Sequence, residues 1–128
     1  MLYVPICHGE LVDKLTILKI KKEKMQGNKL ENVENEYNLL LPFLHQIGIY
    51  EEHELFIQLY NVNREFWEYH DWQREKWKEV KDTIDLELYK RTKEEHILND
   101  ERAKIKKEIN ILTKSTIIEE KQFISYMI

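Results

Sequence analysis

Three sets of polar side chains stand at helical spacing in this chain, and each suits a chemistry. Asp13 and Lys14 lie three and four residues after Glu10, so both share its side of a helix. Two carboxylates beside an ammonium suit acid/base or hydrogen-bonding work on a small molecule. Asn63, Trp67, His70 and Arg74 follow at i, i+4, i+7 and i+11. An indole among amide, imidazole and guanidinium groups suits stacking on a ring or a sugar. Asn99, Arg102, Lys106 and Asn110 follow at i, i+3, i+7 and i+11. Such an Arg grips a carboxylate or phosphate by its fork, and such a Lys does so as a point charge. Each set has a plainer reading too. Glu10 and Lys14 form an i,i+4 pair while Asp13 caps or bridges to a neighbour. Trp67 is core, and Arg102 and Lys106 are a solvated edge whose stems cover apolar surface.

The helix that must carry Glu10 and Asp13 is unusual. With Leu11 at zero and 100° per residue, Leu15, Leu18 and Met25 fall within about 40° of it. Ile17 and Ile20 fall nearly opposite, at about 240° and 180°, with Asp13 between them. A helix apolar on two sides is packed on two sides, so it belongs at the centre of the fold. A carboxylate set in an apolar stripe must be paired or hydrogen-bonded, because burying it bare costs several kcal/mol. Distant Arg102 and Lys106 are the cations that would meet Glu10 and Asp13 across a helix pair. Cys7-His8-Gly9-Glu10 has the spacing of a capping box, with a poorly accepting thiol in the capping position.

Composition narrows the class. The chain has 128 residues, enough for one domain, 1–128, with a real core. Its 34% charged residues, three Gly and two Pro indicate an all-α fold. The net charge of −4, with both signs interleaved, leaves no footprint for nucleic acid. One cysteine rules out an internal disulfide and fits a reducing compartment. No apolar run reaches the roughly 20 residues of a membrane span, and the N-terminus lacks the layout of a signal peptide. A cytoplasmic location is expected.

The elements follow from periodicity and breakers. Residues 2–6 form an extended apolar arm, since Pro5 disfavours helix at Val4. The first helix stops near Gln26-Gly27-Asn28. A second covers residues 30–41 and folds back on the first, and Pro42 ends it or starts a short helix over 43–47. Residues 51–81 lack Gly and Pro and predict a helix about 45 Å long, which must bend or project beyond a compact domain, where a partner could receive it. A second long helix runs from about 83 to 113, and a short one covers 117–128. The expected architecture is an antiparallel bundle of about five helices, two of them long.

Metal chemistry has little support. None of the five His lies at di-iron or zincin spacing, and Glu51-Glu52-His53-Glu54 is adjacent rather than helically spaced. No metal and no cofactor are expected, and no Gly-rich phosphate loop is present.

Four segments carry a resemblance. They are Pro5-Ile6 with Gly9-Glu10-Leu11, Asp13-Lys14, Thr16-Ile17-Leu18 and Ile20-Lys21; Asn63 with Trp67, Asp71 and Arg74; Asn99-Asp100, Arg102-Ala103, Ile105-Lys106 and Ile109-Asn110; and Glu119-Glu120-Lys121 with Phe123. In these the chain resembles a family of small bacterial proteins of unknown function. Two departures stand out: Cys7 where Ser is expected, and His70-Asp71 where Glu-Asp is expected. The resemblance implies a setting near surface-polysaccharide and glycosyltransferase proteins, and no activity.

Two functions are therefore carried forward. The first is a non-enzymatic helical accessory protein that associates with itself or a protein partner. The second is a small-anion or sugar-nucleotide site between helices, for binding or catalysis, built from Glu10, Asp13, Lys14, Asn63, Trp67, Arg74, Asn99, Arg102, Lys106 and Asn110. A metal-dependent nucleotide pyrophosphohydrolase is a lesser option.

Overall fold

The computed structural model describes residues 1–80 and 83–122. Four helices form: α1 (His8–Lys24), α2 (Asn28–Gln46), α3 (Glu54–Val80) and α4 (Leu86–Leu112). Helix α1 packs against all three others, and α3 packs along α4. The two-sided apolar pattern of α1 thus reflects its place in the middle. Leu11, Leu15 and Leu18 enter the main core with Val33, Tyr37, Leu44, Phe56, Leu59 and Ile109. Ile17 and Ile20 face the other way, beside Phe66 and Trp67.

The count is four helices among the described residues, where about five were expected. Two differences account for it. Helix α2 continues through Pro42 as one element. Proline removes the bond to the Asn38 carbonyl, but both residues are exposed, so water can take that carbonyl. The other difference is the C-terminus. Residues 117–122 are not helical, and 123–128, with Phe123, lie outside the described residues.

The reason lies at the end of α4. Lys114 takes a left-handed conformation (φ 56°), Ser115 N donates to Asn110 O at 2.8 Å, and Lys114 N donates to Ile111 O at 3.3 Å. This is the Schellman pattern, with a lysine where glycine is usual, and it turns the chain back. Ion pairs from Lys106 to Glu119 (3.3 Å) and Lys107 to Glu120 (3.0 Å) then hold residues 115–122 along α4 as an extended strap.

The long helices do project. Each of α3 and α4 has 27 residues, about 40 Å, against 17 residues, about 25 Å, for α1. The last buried residue of α3 is Tyr69, and the first of α4 is Leu98. Between them, polar contacts join the helices as an antiparallel hairpin. Lys76 reaches Asp85 and Glu87, the Arg91 guanidinium sits 3.8 Å from the Trp72 ring centroid, and His70 lies 3.4 Å from Glu95. Among the described residues no helix is long and apolar enough to cross a membrane.

Candidate functional site

The polar ridges of α1, α3 and α4 meet where the three helices cross. Asp13 is almost sealed, its side chain 2% exposed. Arg102 grips it with both arms of its fork: Nε donates to Oδ1 at 2.8 Å and Nη2 donates to Oδ2. Asn63 Nδ2 donates to the same Oδ1 at 2.9 Å and to Thr16 Oγ1 at 2.9 Å. Thr16 Oγ1 in turn donates to the Asp13 carbonyl at 2.7 Å. The bonds it donates to Asp13, with the charges of the neighbouring carboxylates, hold the Arg102 guanidinium above its ordinary pKa, against the pull of burial.

One turn toward the N-terminus of α1, Lys106 Nζ donates to Glu10 Oε2 at 2.8 Å and to Glu119 Oε1 at 3.3 Å. Burial pulls the Lys106 ammonium down, but the Glu10 bond with the charges of Asp13, Glu10 and Glu119 outweighs it. The net direction is up, so Lys106 is firmly charged. Glu10 therefore pairs with Lys106. The expected Glu10–Lys14 pair does not form, because Lys14 turns to α2 and meets Glu36 at 3.0 Å.

The N-terminus of α1 is capped from the far end of the chain. Cys7 occupies the capping position without a side-chain cap bond, so the capping box is not made. Gly9 N instead donates to Asn110 Oδ1 at 2.6 Å, and His8 N donates to Ser115 Oγ at 3.1 Å. His8 Nδ1 lies 2.8 Å from Thr113 Oγ1. Two orphan donors of the first turn are satisfied this way. Gly9 is required for it. A Cβ built there would stand 2.5 Å from the Lys106 carbonyl oxygen, so α1 and α4 approach too closely for a side chain.

Two clefts flank the cluster, and Arg102 and Asn99 line both. One, of about 430 Å³, lies between Ile17 and Ile20 of α1, Asn63, Trp67 and His70 of α3, and Glu95 and His96 of α4. The other, of about 530 Å³, lies between α4 and the strap, beside Lys106, Lys107 and Asn110. Asn110 is buried, and its Nδ2 has no hydrogen-bond partner among the described residues.

The structure thus brings together Glu10, Asp13, Asn63, Arg102, Lys106 and Asn110, with Trp67 and Asn99 on the cleft walls. It leaves Lys14 on the α2 side and Arg74 exposed on the projecting part of α3. Thr16, Ser115 and Glu119 also belong to the network. Thr16 sits one turn after Asp13, which is a usable sign; Ser115 lies 107 residues from its partner, and no periodicity signals that. Among the described residues, no three His, Cys, Asp or Glu side chains converge to hold a metal ion.

Chemically, Asp13 is poorly placed for acid/base work. Both its oxygens are engaged and it scarcely meets solvent, whereas a general base must reach the proton it takes. The arrangement defines an all-helical protein whose central helix is pinned by a buried ion-pair network. The chain belongs to a family of unknown function, DUF6165, whose model matches residues 2–127. No curated protein and no solved structure matches it.

Proposed function

We propose that this chain is a non-catalytic helical accessory protein that works by protein contact, through the projecting α3/α4 arm, with a second copy of itself. One observation carries the reading. None of the described residues from 70 to 97 is buried, yet Trp77, Ile84, Leu86 and Tyr89 are apolar and exposed there. A two-helix hairpin standing alone covers little of its apolar surface, and two hairpins related by a two-fold axis make a four-helix bundle. Charge permits the pairing. Residues 70–97 hold seven Lys or Arg against eight Asp or Glu, a formal −1, so two arms do not repel. The suggested setting among surface-polysaccharide and glycosyltransferase proteins has its support in the family resemblance.

Sedimentation velocity across a concentration series tests the contact. The wild type should pass from monomer to dimer. Leu86→Glu with Tyr89→Glu, at positions 62% and 73% exposed, should keep the fold and remain monomeric. A wild type that is monomeric up to its solubility limit overturns the reading, as does a double variant that dimerises unchanged.

A second reading, a small-anion site between helices, draws support from the cation-rich cleft beside Lys106. In that reading Lys106 and Asn110 hold the anion, while Arg102 stays on Asp13 and lines the cleft.

A further inference from the structure

We infer that the cleft between α4 and the C-terminal strap is a binding site for the phosphoryl group of a small molecule, occupied at rest by the strap's own Glu119 and Glu120 carboxylates. This deepens the small-anion reading and is independent of the arm. In a chain of net charge −4, five cations line this cleft, Arg102, Lys104, Lys106, Lys107 and Lys121, against three carboxylates, Asp100, Glu119 and Glu120. Two further carboxylates hold these cations, Asp13 on Arg102 and Glu10 on Lys106, so the cluster is neutral with the strap in place and becomes positive once Glu119 and Glu120 move away. Lys106 and Lys107 are adjacent in sequence, and both give their ammonium groups to the strap.

The Asn110 side chain supplies the independent sign. It is 1% exposed and lines the cleft, and its Oδ1 is fixed by Gly9 N, which leaves Nδ2 as a donor without an acceptor among the described residues. An orphaned buried donor is costly and asks for an acceptor. The side chains of Glu119 and Glu120 are 60% and 72% exposed, so the bonds that hold them are weak and screened. Residues 117–122 have neither helix nor strand to keep them in place. A carboxylate also brings one charge and two acceptor oxygens. A phosphoryl group brings nearly two charges and three acceptors, enough for both ammonium groups and the Asn110 amide together. The ligand's phosphoryl group thus displaces the strap, and the strap sets the threshold for binding.

Phosphorus NMR and thermal-shift titrations of the full chain with inorganic phosphate and with pyrophosphate test this. Sodium chloride at matched ionic strength and succinate serve as controls. Saturable binding of pyrophosphate is expected, above any response to chloride or succinate. Glu119→Gln with Glu120→Gln removes the competing charges and should tighten binding about threefold to tenfold. Lys107→Met, at a half-exposed position that leaves the fold intact, should weaken it several-fold. No response beyond chloride, in the wild type and the double Gln variant alike, overturns both the site and the small-anion reading. Binding to the wild type that the double Gln variant does not tighten overturns the strap as competitor while the site stands. A succinate response equal to that of pyrophosphate overturns the phosphoryl assignment.

Discussion

Replacing Gly9 by Ala tests whether α1 and α4 are held as tightly as their geometry requires. The new Cβ would stand 2.5 Å from the Lys106 carbonyl oxygen, where ordinary contact begins at 3.4 Å, so the helices must part by about 0.9 Å. Spent along the Gly9 N–Asn110 Oδ1 line, that shift stretches a 2.6 Å bond to about 3.5 Å, the edge of any useful interaction. Overpacking a close contact costs about 1–3 kcal/mol. Leaving the buried Gly9 N–H and the Asn110 carbonyl unpaired costs about 1–3 kcal/mol more. Alanine recovers about 0.5–1 kcal/mol through its better helix propensity. The net expectation is a loss of about 1–5 kcal/mol, centred near 3, or roughly 12 °C in Tm at the centre for a chain of this size. Urea unfolding followed by helical circular dichroism measures it. Asn110→Ala should cost a similar amount alone, and the double variant should cost clearly less than the sum, because both changes break the same contact. A Gly9→Ala variant within about 0.5 kcal/mol of wild type, or full additivity with Asn110→Ala, would refute the close-approach argument.

Three further outcomes follow from the same network. Arg102→Met strands a buried carboxylate and should cost about 3–5 kcal/mol, whereas Asp13→Asn should cost less, because Arg102 is 30% exposed and can turn to water; equal losses in urea unfolding count against this. The alkaline limb of stability should be steep. Lys106, charged through its carboxylates despite burial, and Tyr37, a buried phenol donating to Glu51, both hold their protons more tightly folded than unfolded. Their stabilisation is full below about pH 10 and is lost as pH rises through their higher folded values, so Tyr37→Phe should flatten the decline between neutral and strongly alkaline urea titrations. Cys7→Ser should raise stability by about 0.5–1 kcal/mol, because the trans caps serve His8 N and Gly9 N and leave the Glu10 N–H for a serine hydroxyl; an unchanged or lower unfolding midpoint would show that no such donor is waiting.

How far the chain could be read in advance depended on the range of the interaction. The two-sided pattern of α1 placed it centrally, because a helix buried on two faces must be apolar on both. The same pattern required a partner for Asp13, and the ridge of α4 offered Arg102 as the only kind of group that grips a carboxylate with two bonds. Lys14 misled because i,i+4 spacing with Glu10 signals an available pair, and a longer-range partner on each side won: Glu36 for Lys14 and Lys106 for Glu10. Pro42 misled because the cost of a proline falls when the carbonyl it orphans faces water. The turn at Lys114 was illegible since a lysine stands where glycine would announce a left-handed residue. With that turn hidden, Ile117 and Ile118 beside Glu119 and Glu120 resembled the start of a helix.

The buried cluster is best understood as what fixes geometry, with any binding displaced to its edges. Apolar contacts between crossing helices tolerate sliding and rotation, because area changes little over small shifts. Directional bonds do not: the fork of Arg102 on Asp13, with Asn63 on the same oxygen, admits one crossing of α1 over the hairpin. The charge of that pair is spent internally. Lys106 differs in kind, since both its carboxylate partners are substantially exposed and one belongs to a strap without regular structure. A ligand can compete there without opening the core, whereas competing for Arg102 means stranding Asp13. The same reasoning separates the arm from the base. Between Tyr69 and Leu98 none of the described residues is buried, so no buried bond among them specifies how the hairpin is covered, and that surface is free to be completed by another molecule.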